Sequence, residues 1–131
     1  MNRKRRLKPP STKTLAVATK QLSSMIRTGL PLLEALNILS ESSDDKTLKA
    51  VFKEASIGIS RGATFQEILE KHPEVFDEMY LALVSAGETA GLLPEVLDRE
   101  AKLLESLSKI CLLYTSPSPR DTRRSRMPSS A

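Results

Sequence analysis

Leu15, Thr19, Leu22, Met25 and Ile26 recur at intervals of three and four, the spacing that places side chains on one face of an α-helix. Thr28-Gly29 supplies the stop for this first helix. Pro31 then opens a second helix at the first position, where a missing amide hydrogen costs nothing, and Leu32, Leu33, Leu36 and Leu39 form its apolar stripe until the polar cluster Ser40 to Asp45. The short Gly29-Leu30 link predicts that the two helices form an antiparallel hairpin. A third helix starts at Asp44 or Asp45, whose carboxylates cap free amides and suit the positive end of the dipole. Its core face is Leu48, Val51, Phe52, Ala55 and Ile59, and Gly62 ends it. Thr64 and Glu67 have capping-box spacing ahead of Phe65, Ile68 and Leu69, which predicts a short fourth helix closed by His72-Pro73.

The punctuation is densest between His72 and Pro94. Pro73 has no amide hydrogen to donate, so a fifth helix begins afresh near Asp77, carrying Met79, Tyr80, Leu83 and Val84 inward. Gly91 supplies the left-handed backbone position that ends it, and Pro94 sits in the first turn of a sixth helix with Val96, Leu97, Ala101, Leu104 and Leu107 on its inner face. No strand pattern competes. The pattern predicts an all-α protein, a six-helix antiparallel bundle with disordered basic tails.

Charge sharpens the domain boundaries. The chain of 131 residues carries a formal charge of +4, yet residues 1–10 hold five Lys or Arg and no acid, and residues 111–131 hold four Arg against one Asp. Residues 11–110 therefore carry eleven basic and fifteen acidic groups, a net of −4. Residues 1–10 read as a basic arm that is either solvated or meets anionic headgroups, 11–110 as one folded domain, and 111–131 as a disordered Ser, Pro and Arg tail. Cys111 to Asp121 also looks like translated sequencing-adaptor read-through, so the tail is set apart as non-native. With the net positive charge confined to the tails and no basic cluster interleaved with aromatic residues in the sequence between them, the domain is not expected to bind nucleic acid. No apolar run in the sequence reaches the roughly eighteen residues needed to cross a bilayer.

Candidate chemistry is sparse. A single Cys and a single His exclude an intramolecular disulfide and the usual zinc sets, and no phosphate-binding loop, His-Glu-x-x-His or Gly-x-Ser-x-Gly motif is present. The pairs Asp44-Asp45, Asp77-Glu78 and Glu74-Asp77 fall at expected helix starts, where carboxylates serve as caps. No catalytic residue, metal site or cofactor is expected. His72 reads as a helix-terminal histidine. Two residues are out of character for their positions. Glu88 places a carboxylate in the last turn of its helix, against the negative end of the dipole, at a cost of about 0.3–1 kcal/mol when exposed. It either caps the amides opening the sixth helix or presents charge to a partner. Gly87 lies inside a helix, where glycine costs about 1 kcal/mol relative to Ala, and close approach of a neighbouring helix is the usual reason.

Three blocks carry a resemblance. Lys20 to Leu36, the Gly62-Ala63-Thr64-Phe65 turn, and Ala86-Gly87-Glu88 with Gly91 are similar, in order and spacing, to the cytoplasmic domain of the type II secretion system protein F family, whose members also serve type IV pilus assembly. The resemblance covers roughly residues 12 to 108. It implies a non-enzymatic docking module, the first of two such domains of an inner-membrane platform protein. It also implies a position on the cytoplasmic face of the bacterial inner membrane, with the membrane spans lying outside this chain. The implied partners are a cytoplasmic secretion or pilus ATPase, other inner-membrane assembly components and further copies of the domain. Ala86, Gly87, Glu88 and Gly91 are the candidate interaction residues. The chain departs from the family's Phe-Thr-Arg-Gln at Ala18-Thr19-Lys20-Gln21, and has Glu100 where the family tends to have Leu. A free-standing helical adaptor or oligomerisation module is the competing reading.

Overall fold

The structure is a computed structural model describing residues 8–115, with side-chain surroundings through Lys109. Six helices appear within it: α1 (Thr12–Arg27), α2 (Leu32–Ser42), α3 (Lys46–Ser60), α4 (Phe65–Leu69), α5 (Glu78–Ala90) and α6 (Leu93–Thr115). No strand occurs among the described residues.

Four of the six starts, those of α1, α3, α4 and α5, carry a local side-chain cap. The Ser11 hydroxyl accepts from the Thr14 amide at 3.1 Å, Asp45 Oδ2 from the Leu48 amide at 2.9 Å, and Asp77 Oδ1 from the Tyr80 amide at 2.8 Å. Thr64 and Glu67 complete a reciprocal capping box. Glycines with positive φ follow α1, α3 and α5: Gly29 at 102°, Gly62 at 99° and Gly91 at 75°. Pro31 differs from expectation. It is the N-cap of α2, in an extended conformation (φ −61°, ψ 148°), and its carbonyl accepts the first helical hydrogen bond from Ala35. The fixed proline φ suits that half-in position, so the helix begins one residue later.

Chain-consecutive helices pack on one another, and α1 closes the cycle by packing along α6. The α1–α6 pair is antiparallel: Ser23 Oγ donates to the Pro94 carbonyl at 2.7 Å and Lys20 Nζ to Asp98 Oδ1 at 2.7 Å, so partners rise along α6 as they fall along α1. Inside the cycle lie Leu22, Leu36, Leu39, Leu48, Val51, Ala55, Phe65, Leu69, Phe76, Val84 and Leu97, each at most 3% exposed. Truncating a leucine in such a core costs about 2–5 kcal/mol.

Two expectations are corrected by packing. Met79 is 56% exposed, because the buried stripe of the fifth helix is Tyr80, Val84 and Gly87, and the segment before it contributes Val75 and Phe76. The Phe76 and Tyr80 rings meet at 4.8 Å in a tilted pair, which fills the place Met79 was expected to take. Leu107 is 46% exposed, since the register of the antiparallel pair carries it past the Thr12 end of α1. The last helix, α6, runs on to Thr115. Nothing in Cys111 to Tyr114 breaks a helix, and the pre-proline Ser116 is the first position where one should end. Residues 1–7 of the expected basic arm and 116–131 of the expected tail lie outside the described residues.

Candidate functional site

The Gly87–Gly91 corner is built by α4, α5 and α6 together. Leu92 N–H donates to the Gly87 carbonyl at 2.8 Å, a six-to-one closure over the left-handed Gly91, and this turns the chain directly into α6. Gly87 is buried because α6 crosses against it. A Cβ there would strike Val96 Cγ2 and stand 3.1 Å from Leu93 Cα, so the helix interior takes glycine for contact. Ala86 and Gly91 are exposed on the outer side of the corner.

Glu88 is turned the other way. Its Oε2 accepts from the Phe65 amide at 2.7 Å and its Oε1 from the Gln66 amide at 3.0 Å. Thr64 and Glu67 satisfy each other's amides, at 2.9 and 3.1 Å, so the free N–H groups of the α4 start are divided between its own box and Glu88. The expectation that Glu88 caps the sixth helix is thereby corrected: it caps the fourth. The charge that is unfavourable for the end of α5 faces the positive end of α4, which explains why a carboxylate is tolerated there. Spacing along the sequence does not reveal that target, because α4 lies more than twenty residues upstream.

A second polar seam runs between α1, α5 and α6. The Thr19 hydroxyl donates to the Leu15 carbonyl at 2.8 Å and lies 2.7 Å from the Tyr80 hydroxyl, which leaves the phenol as the donor in that contact. Burial raises the Tyr80 phenol well above its ordinary value, and the nearby Glu100 adds to the shift, against the lowering effect of the Thr19 hydrogen bond. Glu100 is 3% exposed and its Oε1 has no hydrogen-bond partner among the described residues. Burial, reinforced by the Asp77 carboxylate, pushes its carboxyl up to about 7. Sequence reading placed Glu100 as a departure in an apolar position, but not as a buried acid beside a phenol.

At the outer edge of the same seam, hydrogen bonds from Lys20 and then Lys102 hold the Asp98 carboxyl below its ordinary range. His72 closes the α3–α4 side, with Nε2 3.0 Å from Glu54 Oε1 and Nδ1 3.8 Å from Glu74 Oε2. Asp45 and Asp77 serve as caps, and Asp44 and Glu78 are exposed beside them. Among the described residues there is no group of three His, Cys, Asp or Glu placed to hold a metal ion, and no helix long and apolar enough to cross a membrane.

Fold and corner together define an α-helical scaffold domain, six helices held in a closed cycle by caps, glycine contacts and one carboxylate clasp. Residues 18–110 match the family described as type II secretion system (T2SS), protein F, and the chain belongs to that family. It is 39% identical over 98 residues to the type IV pilus assembly protein PilC of Myxococcus xanthus, covering 75% of this chain and 24% of the relative. It is 40% identical over 96 residues to PilC of Thermus thermophilus (73% and 23%), and 34% identical over 100 residues to the type II secretion system protein F of Vibrio cholerae (76% and 25%). The chain thus spans about a quarter of the length of the curated relatives it matches.

Proposed function

We propose that this chain is a protein-docking domain of an inner-membrane platform protein for type II secretion or type IV pilus assembly. It acts on the cytoplasmic face of the bacterial membrane, where it couples a cytoplasmic ATPase to the assembly of pilin or pseudopilin subunits. The observation that carries this reading is the family match across residues 18–110, which runs from within α1 to within α6 and so takes in all six helices in whole or in part. A bundle in which every helix packs on two neighbours keeps its outer surfaces in fixed relation, and that rigidity suits a part which must transmit position between partners.

The exposed side of the α5–α6 corner, at Ala86 and Gly91, is the proposed contact surface near the family motif. Glu88 supports it from within by holding α4 against α5. The test is co-purification of the full-length platform protein with its cognate ATPase, before and after deletion of residues 11–110. Loss of the ATPase on deletion, with the remaining protein still in the membrane, supports the reading. Retention of the ATPase overturns the coupling role.

A further inference from the structure

The antiparallel α2–α3 pair leaves a groove of about 700 Å³ on the outer side of the bundle. Its α3 wall carries Lys46, Lys49 and Lys53, with Ile57 continuing the stripe, and its α2 wall carries Asn37 and Ser40. The three lysines follow the spacing of one helical face, so their ammonium groups share the same rim. All three are exposed, and among the described residues none lies within ion-pair distance of a carboxylate. Two acids adjoining these lysines in sequence are engaged elsewhere: Asp45 caps α3 and Glu54 meets His72. Glu41 is the single carboxylate on the groove, and there Lys49 bonds to its backbone carbonyl at 3.1 Å.

This arrangement works against the helix that bears it. Lys46 and Lys49 stand in the opening turn of α3, at the positive end of the dipole, and the first turn contains no acid. Lys49 and Lys53 are like charges at a spacing that repels. Within residues 11–110, where acids outnumber bases, three of the eleven cations are gathered on one concave surface. Ile57, 43% exposed, gives that surface an apolar floor at its far end.

We propose that the α2–α3 groove docks an acidic amphipathic helix of a partner protein, whose carboxylates meet Lys46, Lys49 and Lys53 while its apolar edge covers Ile57. Charge complementarity selects the acidic partner. A concave groove with amide and hydroxyl groups on one wall and no aromatic residue favours a peptide over a nucleic-acid strand, which would stack on rings. The inference deepens the docking reading and rests on it for its biological setting. Its test uses no secretion component, so the two fail separately.

The test is an NMR titration of the full chain with a synthetic amphipathic helix bearing Glu along one edge of a Leu face. The same peptide with Lys in place of Glu is the control. The companion protein is Lys46→Glu/Lys49→Glu/Lys53→Glu, which places acids in the first turn of α3 and should melt no lower than the parent chain. Shifts should map to the groove, and the triple variant should bind about tenfold more weakly, as expected for losing three exposed ion pairs. Binding to the basic tails is separated by following the groove residues alone, whose shifts give the affinity that is compared. Equal affinity of the two proteins, or shifts confined to other surfaces, would overturn the proposal. Vesicles of phosphatidylcholine with phosphatidylglycerol, and a single-stranded oligonucleotide, are run against the same pair. Lysine-dependent binding to either, with none to the peptide, also overturns it and makes the face a lipid or nucleic-acid surface.

Discussion

Replacing Glu100 should make this protein more stable, and the gain should depend on pH in a defined direction. The carboxyl is 3% exposed, one oxygen is unpartnered, and the Asp77 carboxylate adds repulsion to the cost of burial. Its folded-state pKa is about 7 against an ordinary value of 4.5. Below about pH 4.5 the group is protonated in both states and imposes no ionisation penalty. Between about 4.5 and about 7 the unfolded chain gives up the proton while the folded chain holds it, so stability declines with rising pH. Above about 7 the penalty is constant. At about 1.4 kcal/mol per tenfold change in proton affinity the full displacement amounts to about 3 kcal/mol, which water reaching the α6 surface reduces to about 1–2 kcal/mol.

Glu100→Gln keeps the shape and removes the charge, and Glu100→Leu removes the unpartnered oxygen as well. Urea unfolding followed by circular dichroism, repeated from pH 4 to 8, measures the difference from the parent chain. For Glu100→Gln the advantage should be near zero at the acid end, grow between about pH 4.5 and 7, and level off above. Glu100→Leu should add a pH-independent gain of about 1–3 kcal/mol from losing a buried unsatisfied acceptor. A Glu100→Gln advantage that is flat across this range, or a variant less stable than the parent at pH 8, would refute the reasoning.

Glu88→Gln leaves only one acceptor for two amides and removes a charge from the start of α4, so it should lower unfolding free energy by about 1–3 kcal/mol in the same assay. Partner binding by that variant should fall only in proportion to the folded fraction. Gly87→Ala places a methyl against Val96 and the Leu93 backbone, and should destabilise by about 1–3 kcal/mol despite the better helix propensity of alanine, read from the urea midpoint. In a Tyr114→Phe background, Tyr80 should show no phenolate absorbance in alkali until the protein unfolds, because burial raises its pKa. A reversible titration near the ordinary tyrosine value, with native circular dichroism retained, would contradict the Thr19–Tyr80 seam.

Local signals in the sequence were legible where the cause was local. Asp45, Asp77 and the Thr64–Glu67 box cap the helices they precede, and Gly29, Gly62 and Gly91 adopt the left-handed turns that end them. Gly87 was readable as a contact because glycine within a helix is costly enough to need a reason. What the pattern does not contain is which distant element a side chain reaches. Glu88 was out of place for its own helix, but its target, the Phe65 and Gln66 amides, depends on how α4 folds back against α5. Met79 and Leu107 fit helical spacing yet face outward, one displaced by Phe76 and the other beyond the end of α1. Gly58, whose absent side chain admits Ile68 from α4, gave no signal beyond being a glycine inside an apolar stripe.

The central claim is that this bundle is the part of a secretion or pilus platform protein that engages the assembly machinery. Its most direct test is exchange of residues 11–110 for an unrelated helical bundle within the full-length gene in its own host, with pilus assembly or secretion scored beside membrane abundance of the protein. The account predicts normal abundance in the membrane with assembly lost, and restoration when these residues are returned. Assembly at parental levels with the unrelated bundle in place would contradict it.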